Sequence, residues 1–317
     1  AVVELFLPRS ETFSFASDPC DFRFVDSGPN PSVRRSTCVA QAQALGVDYD
    51  PNTFQSVIVN ASQQGFTGGN DNLFNERAES SSIGIVWTPE FVEDLRLSID
   101  YVDIELTNAI ESLSLTTIMQ GCYDSGDYTS NACGQFGRSG TFQVDGFQTG
   151  FLNAGYRIFK GYQTNLDWTF DIGAVPGFFA LRGSAFFLDE SLLSVTGAET
   201  DQSDGKGLIG NSDIRANFGL SYLLNNWRFN WQVQYISSAV KSNTAPDRTY
   251  DIPKIDDYWN HTAFVAYDFS DIGFVNSFAD SVELSIAVRN IFDEDPPYGQ
   301  NSFAAIGVYD LIGRYVS

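Results

Sequence analysis

Few side chains in this 317-residue sequence are equipped for catalysis. There is one histidine, His261, so His-based triads and multi-His metal sites are not expected. No G-x-S-x-G elbow, P-loop or H-E-x-x-H helix occurs. Gly205-Lys206-Gly207 lacks the Ser or Thr and the spacing of a phosphate loop. The four cysteines, Cys20, Cys38, Cys122 and Cys133, form no C-x-x-C pair, and zinc would need ligands gathered from separate loops. Asp256-Asp257 are paired acids, but nothing places them across a sugar as a glycosidase requires. The expectation is a non-enzyme with no cofactor.

The remaining chemistry is that of binding. Outside the alternating segments described below, acids stand beside aromatics. Asp124, Tyr128, Asp201, Asp204, Tyr250 and Tyr298 are the candidate ligand contacts. Such a mixture suits sugar stacking, a cation-bearing ligand, or divalent ions bridging to lipopolysaccharide, since Asp oxygens are hard ligands. The plainer reading is a set of solvated acidic loops. Residues 201–207 have a loose calcium-loop look without the Glu or the spacing of an EF-hand. With 40 acidic and 18 basic side chains and a net charge of −22, the chain is no binder of nucleic acid. The cysteines lie outside the alternating segments and imply an oxidising compartment. Of three possible pairings, proximity favours Cys20–Cys38 and Cys122–Cys133.

These residues sit between strands. Apolar residues make up 43% of the chain, aromatics 15% and charges 18%. No stretch approaches the roughly 18 apolar residues of a spanning helix. Period-two alternation recurs instead. From Ile214 to Tyr222 one face reads Ile, Ala, Phe, Leu, Tyr; from Trp227 to Tyr235 it reads Trp, Phe, Trp, Val, Tyr. The same pattern marks residues 165–172 and 282–289, and more weakly 83–87, 95–101, 179–187 and 263–269. Each segment is a strand with one apolar face.

A soluble sandwich would bury that face, and a membrane barrel would turn it to lipid. Three features favour the barrel. Trp87, Trp168, Trp227, Trp231, Tyr235 and Tyr267 suit lipid-facing girdles. The strands exceed the usual five or six residues. Short links at 88–94, 173–176, 225–226 and 270–280 alternate with long polar links at 108–139, 189–211, 239–256 and 293–309, as in barrels with tight periplasmic turns. Arg182, Arg215, Arg228, Gln232 and Arg289 then face the lumen. Parity allows one membrane strand between residues 108 and 173, at about 153–172, leaving 141–148 to the outer loop or to an extension of that strand. The count is about nine strands, the last beginning near Asp310. Leu95, Leu97, Ile99 and Tyr101 share one face while Val102, Ile104 and Leu106 take the other, which reads as a bulge where the strand leaves the bilayer. Residues 31–45 read as a helix carrying Cys38, and 114–120 as a helical turn. His261 could contact iron or haem, but its neighbours Trp259 and Ala263 put it on the lipid-side face, where it reads as a girdle-level polar residue.

Several motifs resemble those of TonB-dependent receptors. Asp18-Pro19-Cys20-Asp21 and a following Cys-bearing helix look like an outer loop of that family. Residues 79–89, ESSSIGIVWTP, are similar to its E-T-x-T-x-G-x-V-W-x-P strand and turn, and residues 97–106 to its next strand. Arg289-Asn290-Ile291-Phe292-Asp293-Glu294-Asp295-Pro296-Pro297 resembles its N-[LVI]-F-[DN]-x-x-P-P segment, and Tyr309-Asp310-Leu311-Ile312-Gly313-Arg314 its Y-D-x-x-G-R approach to the last strand.

The resemblance implies an all-β antiparallel transmembrane barrel in the bacterial outer membrane, of which this chain supplies the last nine or so of 22 strands. Residues 1–78 are then mostly extracellular loop and 79–317 the strands, with long outer loops carrying short helices. It implies a plug domain, a TonB contact and outer-membrane lipid as partners, and energised import of a siderophore, haem, cobalamin or oligosaccharide. Neither plug nor TonB box is recognisable, and the chain reads as truncated at both ends. A passive porin or adhesin barrel fragment and a soluble acidic β-sandwich binding carbohydrate are the alternatives.

Overall fold

Alternation becomes a single antiparallel sheet in the computed structural model, which describes residues 2–243, 252–270, 282–297 and 308–317. The elements in chain order are α1 (Val2–Phe6), β1 (Ser10–Ser14), α2 (Pro31–Ala44), β2 (Gln63–Gly68), β3 (Arg77–Trp87), β4 (Leu95–Thr107), β5 (Ile110–Leu113), α3 (Leu115–Asp124), β6 (Phe136–Arg138) and β7 (Val144–Asn153). There follow β8 (Tyr156–Ile172), β9 (Val175–Ser194), β10 (Ser203–Asp204), β11 (Ile214–Leu224), β12 (Trp227–Ile236), β13 (Ala239–Val240), β14 (Lys254–Ile255), β15 (Tyr258–Asp268), β16 (Glu283–Arg289) and β17 (Tyr315–Val316). The large sheet runs β17-β16-β15-β12-β11-β9-β8-β4-β3, nine strands in an unbroken path, with β10 attached to β9.

Register fixes the faces, because a slip of one residue would exchange them. Leu220 stands opposite Leu181 and Trp231, and Trp231 opposite Ala263. One position on, Gly219 pairs with Arg182 and Gln232, and Gln232 with Thr262. Arg182, Arg228, Gln232 and Arg289 line a hollow of about 1210 Å³ with Asn165, Asp167 and Asn217. The opposite face is apolar and uncovered, with Leu220 41% and Trp231 39% exposed. Among the described residues no second sheet packs on it, which is not how a sandwich buries its apolar face.

Aromatic rings mark the edges of the apolar band. Trp168, Phe170, Phe179, Tyr222, Phe229, Trp227 and Tyr267 form a chain of neighbouring rings across β8, β9, β11, β12 and β15, with centroids 4.2–5.9 Å apart. This belt lies near the tight β8–β9 and β11–β12 turns. Asn225 adopts φ 49° in the latter, as a two-residue hairpin turn demands. Tyr235 packs against Trp259 at the other end of the band, their ring centroids 4.3 Å apart. From Trp227 to Tyr235 the chain rises about 27 Å at ~3.4 Å per residue, which a tilt of about 40° reduces to roughly 21 Å. That approaches the ~25 Å apolar band of outer-membrane barrels. Trp231 lies midway on this span, in the band itself and not in a girdle.

Two strand expectations are corrected. β4 pairs in continuous register with β8 from Leu95 to Thr107 and with β3 from Leu97 to Thr107, so no bulge lies at the change of face. The outward positions beyond Tyr101 become polar because they have left the lipid, with Asp103 and Lys160 opposite one another. Val102, Ile104 and Leu106 then point inward. The irregularity sits one strand away, between β8 and β9 at Lys160/Gly161, where Gly161 pairs with Leu188 and Lys160 with Glu190. The last strand is shorter than expected, Tyr315–Val316, with residues 310–314 irregular. The short link at 270–280 lies almost wholly outside the described residues.

Residues expected as mostly outer loop fold into a cap of their own. Its sheet runs β1-β2-β7-β5 with β6 beside β7, and β2 and β7 are parallel. The segment at 141–148 thus belongs to the cap as part of β7, and β8 is the one membrane strand of that region. α2 starts where Asn30 caps Val33 N–H and Pro31 fits the first helical turn. α3, capped by Ser114, runs to Asp124, four residues beyond the expected turn. Ile58, Leu115, Ile118, Met119, Tyr123, Phe142 and Phe147 form the core. Both disulfides, Cys20–Cys38 and Cys122–Cys133, border it. Closing an 18-residue separation restrains the unfolded chain by about 3 kcal/mol on the chain-entropy model. Replacing Cys20 and Cys38 together by Ala is therefore expected to raise proteolysis of residues 10–70 on intact cells. Thiol labelling without reductant should find all four sulfurs blocked in the native protein; a reactive Cys20 or Cys122 contradicts the pairing.

Candidate functional site

Two surfaces suit binding, the polar hollow and the cap at its outer end. The cap is tied to the strand ends opposite the tight turns. Asn108 N–H donates to Gly155 O at 3.1 Å, Ala154 N–H to Ala109 O at 2.8 Å, and Gly155 N–H to Val195 O at 3.0 Å. Phe74 N–H donates to the Asn153 side chain at 2.8 Å. α3 also meets the β9–β11 loop, where Thr200 donates to Ser125 O at 3.2 Å. Gly121 permits that contact, because a Cβ there would lie 2.5 Å from Val195 Cβ. Gly121→Val is expected to loosen α3 from this loop at about 1–3 kcal/mol, the usual cost of overpacking. Faster hydrogen exchange confined to residues 115–124 and 195–201 is the readout.

Buried ion pairs hold the cap together. Arg138 donates to both Asp18 oxygens at 2.6 and 2.7 Å, and to Phe142 O and Tyr123 Oη at 2.9 and 2.8 Å. Arg34 donates to both Asp124 oxygens at 2.6 Å and to Phe24 O at 2.9 Å. Burial pushes the Asp124 carboxyl up, and Arg34 pulls it back only in part. Burial also pushes on Asp21, but bonds from Arg23 and from Ser56 N–H hold it below the usual carboxylate range. Burial raises the Tyr49 and Tyr123 phenols well above theirs.

Several residues expected at a ligand surface are therefore structural. Asp124 is 2% exposed and Asp201 4%; the latter accepts from Ser194 Oγ and from Thr196 N–H and Oγ1, these last two at 2.8 Å. Neither is placed to meet a ligand, since a buried carboxylate needs its partners for itself. Tyr128 is half-buried against the cap core. Asp204 is exposed and accepts Lys206 N–H at 2.8 Å. Tyr250 and Tyr298 lie outside the described residues.

Inside the hollow the arginines are paired. Arg182 lies 3.4 Å from Asp167, Arg228 bonds Glu283, and Arg289 lies over the Tyr315 ring at 5.3 Å. Arg215 instead bonds Gly210 O and is not among the residues lining the hollow. Asn217, Asn230, Gln232, Gln234, Asn260 and Thr262 supply neutral donors and acceptors between these charges. Alternation alone places Asn217, Asn230, Gln232 and Gln234 on the polar face of their strands, without marking the asparagines as contact residues. Trp87, Trp168, Trp227, Tyr235 and Tyr267 occupy the opposite face. His261 stands there too, between Trp231 at 5.7 Å and Phe292 at 4.9 Å. Among the described residues no three His, Cys, Asp or Glu side chains group to hold a metal. The arrangement is a wall of hydrogen-bonding groups beneath the cap, suited to binding a polar molecule or polypeptide.

The family profile "TonB dependent receptor-like, beta-barrel" matches residues 39–291. No curated protein sequence matches. Among solved structures, the ferric enterobactin receptor PfeA of Pseudomonas aeruginosa (with enterobactin, Q482A mutant) is similar over 81% of this chain and 32% of its own, at 13% identity and a TM-score of 0.48. The siderophore receptor PirA of Acinetobacter baumannii matches 81% of this chain and 33% of its own at 13% identity and 0.47. The FrpB iron transporter of Neisseria meningitidis matches 80% and 32% at 13% identity and 0.47. This chain spans about a third of the length of these receptors.

Proposed function

Because this chain belongs to the TonB-dependent receptor family, an outer-membrane family of transporters, we propose that it forms part of the barrel wall and the outer mouth of a receptor that imports a scarce ligand with energy delivered by TonB. The observation that carries the proposal is the two-sided sheet: apolar rows through Leu220 and Trp231 face out, and the polar hollow around Arg182, Arg228, Gln232 and Arg289 faces in. A wall of that kind seals against lipid while offering hydrogen bonds to a plug domain and to a ligand passing it. The cap, stapled by two disulfides and tied to β4, β8 and β9, holds the outer mouth in one shape. The ligand class is a ferric siderophore, haem, cobalamin or an oligosaccharide.

Uptake tests this directly. Labelled ferric enterobactin, haem, cyanocobalamin and maltoheptaose are each supplied at limiting concentration to cells making the full-length protein. Uptake of one of them is expected to require both this protein and TonB. Uptake that persists without TonB indicates a passive pore and overturns the proposal, as does indifference of all four probes to loss of the protein.

A further inference from the structure

On the cap side of the polar hollow the inward face changes character. Val102, Ile104 and Leu106 of β4 share that face with Phe159 of β8 and with Phe186 and Leu188 of β9, since Val102 pairs with Gly161, Ile104 with Phe159, and Gly161 with Leu188. All but the buried Leu188 keep part of their surface exposed. Phe159 and Phe186 are parallel, their planes within 7° and their centroids 5.4 Å apart. Gly161 makes room for the pair, because a Cβ there would lie 2.5 Å from Phe186 Cζ. Polar groups stand beside these rings. Gly84, Asp100, Gln163 and Phe186 form one row across β3, β4, β8 and β9. The Asp100 carboxylate lies over Gly84, where a Cβ would collide with it. Among the described residues neither the Asp100 nor the Gln163 side chain has a hydrogen-bond partner.

We propose that this row is a subsite for one ring of a neutral oligosaccharide, its hydroxyls on Asp100 and Gln163 and its apolar C–H face on Phe186 and Phe159. The proposal rests on the import reading above and selects one ligand class from it. Every ring of an oligosaccharide carries both hydroxyl edges and apolar C–H faces. Asp100 accepts from hydroxyls, and the Gln163 amide both donates and accepts. The negative face of an aromatic ring attracts the slightly positive C–H groups. Adjacent strands lie ~4.8 Å apart, so Asp100 and Phe186 flank Gln163 across about 10 Å, a width that takes a sugar ring with its hydroxyls. A ferric catecholate or the carboxylates of haem would bring negative charge beside Asp100, and like charges oppose binding. The base next in the row, Arg215, is bonded to Gly210 O. An apolar segment of polypeptide would cover Asp100 and Gln163 without pairing them, which is costly. The subsite lies beside Tyr162, at the outer edge of the lipid band, where a ligand arriving from outside meets the wall first.

The full-length protein in detergent is titrated calorimetrically with maltohexaose, cellohexaose, xylohexaose and mannohexaose. Saturable binding of at least one is expected. Phe186→Leu keeps the apolar bulk but loses the ring face, and should weaken that binding about fivefold. Phe186→Tyr keeps the face and should bind as the wild type does. Asp100→Asn keeps the shape but loses the charged acceptor, and should weaken binding about tenfold. Heat-dependent gel mobility checks that each variant is folded. Sugar binding that survives both Phe186→Leu and Asp100→Asn overturns the subsite and leaves these residues to the plug domain. Equal weakening by Phe186→Leu and Phe186→Tyr overturns the stacking. Binding of none of the four sugars overturns the choice of ligand class. TonB-dependent uptake of ferric enterobactin, haem or cyanocobalamin by the same protein would then leave the import reading standing, whereas uptake indifferent to TonB overturns that reading as well.

Discussion

Leu220→Arg is expected to remove most of the full-length protein from the outer membrane. Leu220 lies in the apolar row between Leu181 and Trp231, away from both aromatic edges of the band. A guanidinium there faces hydrocarbon with no partner in reach, and near the midplane such a charge costs about 2–4 kcal/mol. Trp231→Arg should act alike, because Trp231 is the next residue in that row. Gln232→Arg is the control. It adds the same charge one position along the strand, but Gln232 points into the hollow with Asn217 and Asn230, where water and polar groups receive it. Membrane fractionation and the shift in gel mobility on heating, which reports a folded barrel, distinguish them. Loss with Leu220→Arg and Trp231→Arg but not with Gln232→Arg is the expected result; equal loss in all three contradicts the assignment of faces.

The contrast between neighbouring residues shows why so much of this sheet was legible in the sequence. A strand in a membrane wall has one solvent on each side, so each residue reports its side by its polarity. Ile214 to Tyr222 and Trp227 to Tyr235 do so without exception. The same logic misled at Val102, where a change of face looked like a bulge. The chain does not shift there; its surroundings do, because lipid ends near Tyr101 and the cap begins. Sequence holds no marker for the height of a membrane surface beyond its aromatics, and Tyr101 and Tyr162, 4.9 Å apart, were that marker.

The cap was far less legible. Its disulfides were readable because each closes a short separation, 18 and 11 residues. Its ion pairs were not, since Asp124 meets Arg34 across 90 positions and Asp18 meets Arg138 across 120. An acid in a long polar link carries no sign of burial, so Asp124 and Asp201 resembled ligand contacts when they are internal fasteners. Phe142, Phe147 and Phe136, which form the cap core, likewise lie in a stretch without clean periodicity.

Asp18→Ala is the change expected to damage the cap most. The Arg138 and Asp18 side chains are 1% and 0% exposed, and Asp18 supplies two of the guanidinium's bonds. Removing the carboxylate leaves a buried cation with only Tyr123 Oη and Phe142 O, and stranding one member of a buried pair costs about 3–5 kcal/mol. Burial works against the Arg138 charge, while the Asp18 carboxylate and the Tyr123 hydroxyl sustain it. The cation will therefore draw in water and open the core around Phe142 in preference to losing its proton. Opening more frequent by roughly 100-fold or more follows from that energy, and protease added to intact cells reads it when cleavage tracks the open population. The double variant Asp18→Ala, Arg138→Met removes both charges and keeps an apolar stem beside Phe142. It should recover most of the loss, because replacing both members of a buried pair by apolar groups is often close to neutral. If the double variant is cleaved as fast as Asp18→Ala, the damage came from lost bonds to Cys20 N–H and not from the stranded charge. The expected order of resistance is wild type, then the double variant, then Asp18→Ala, with the membrane sheet unaffected in all three.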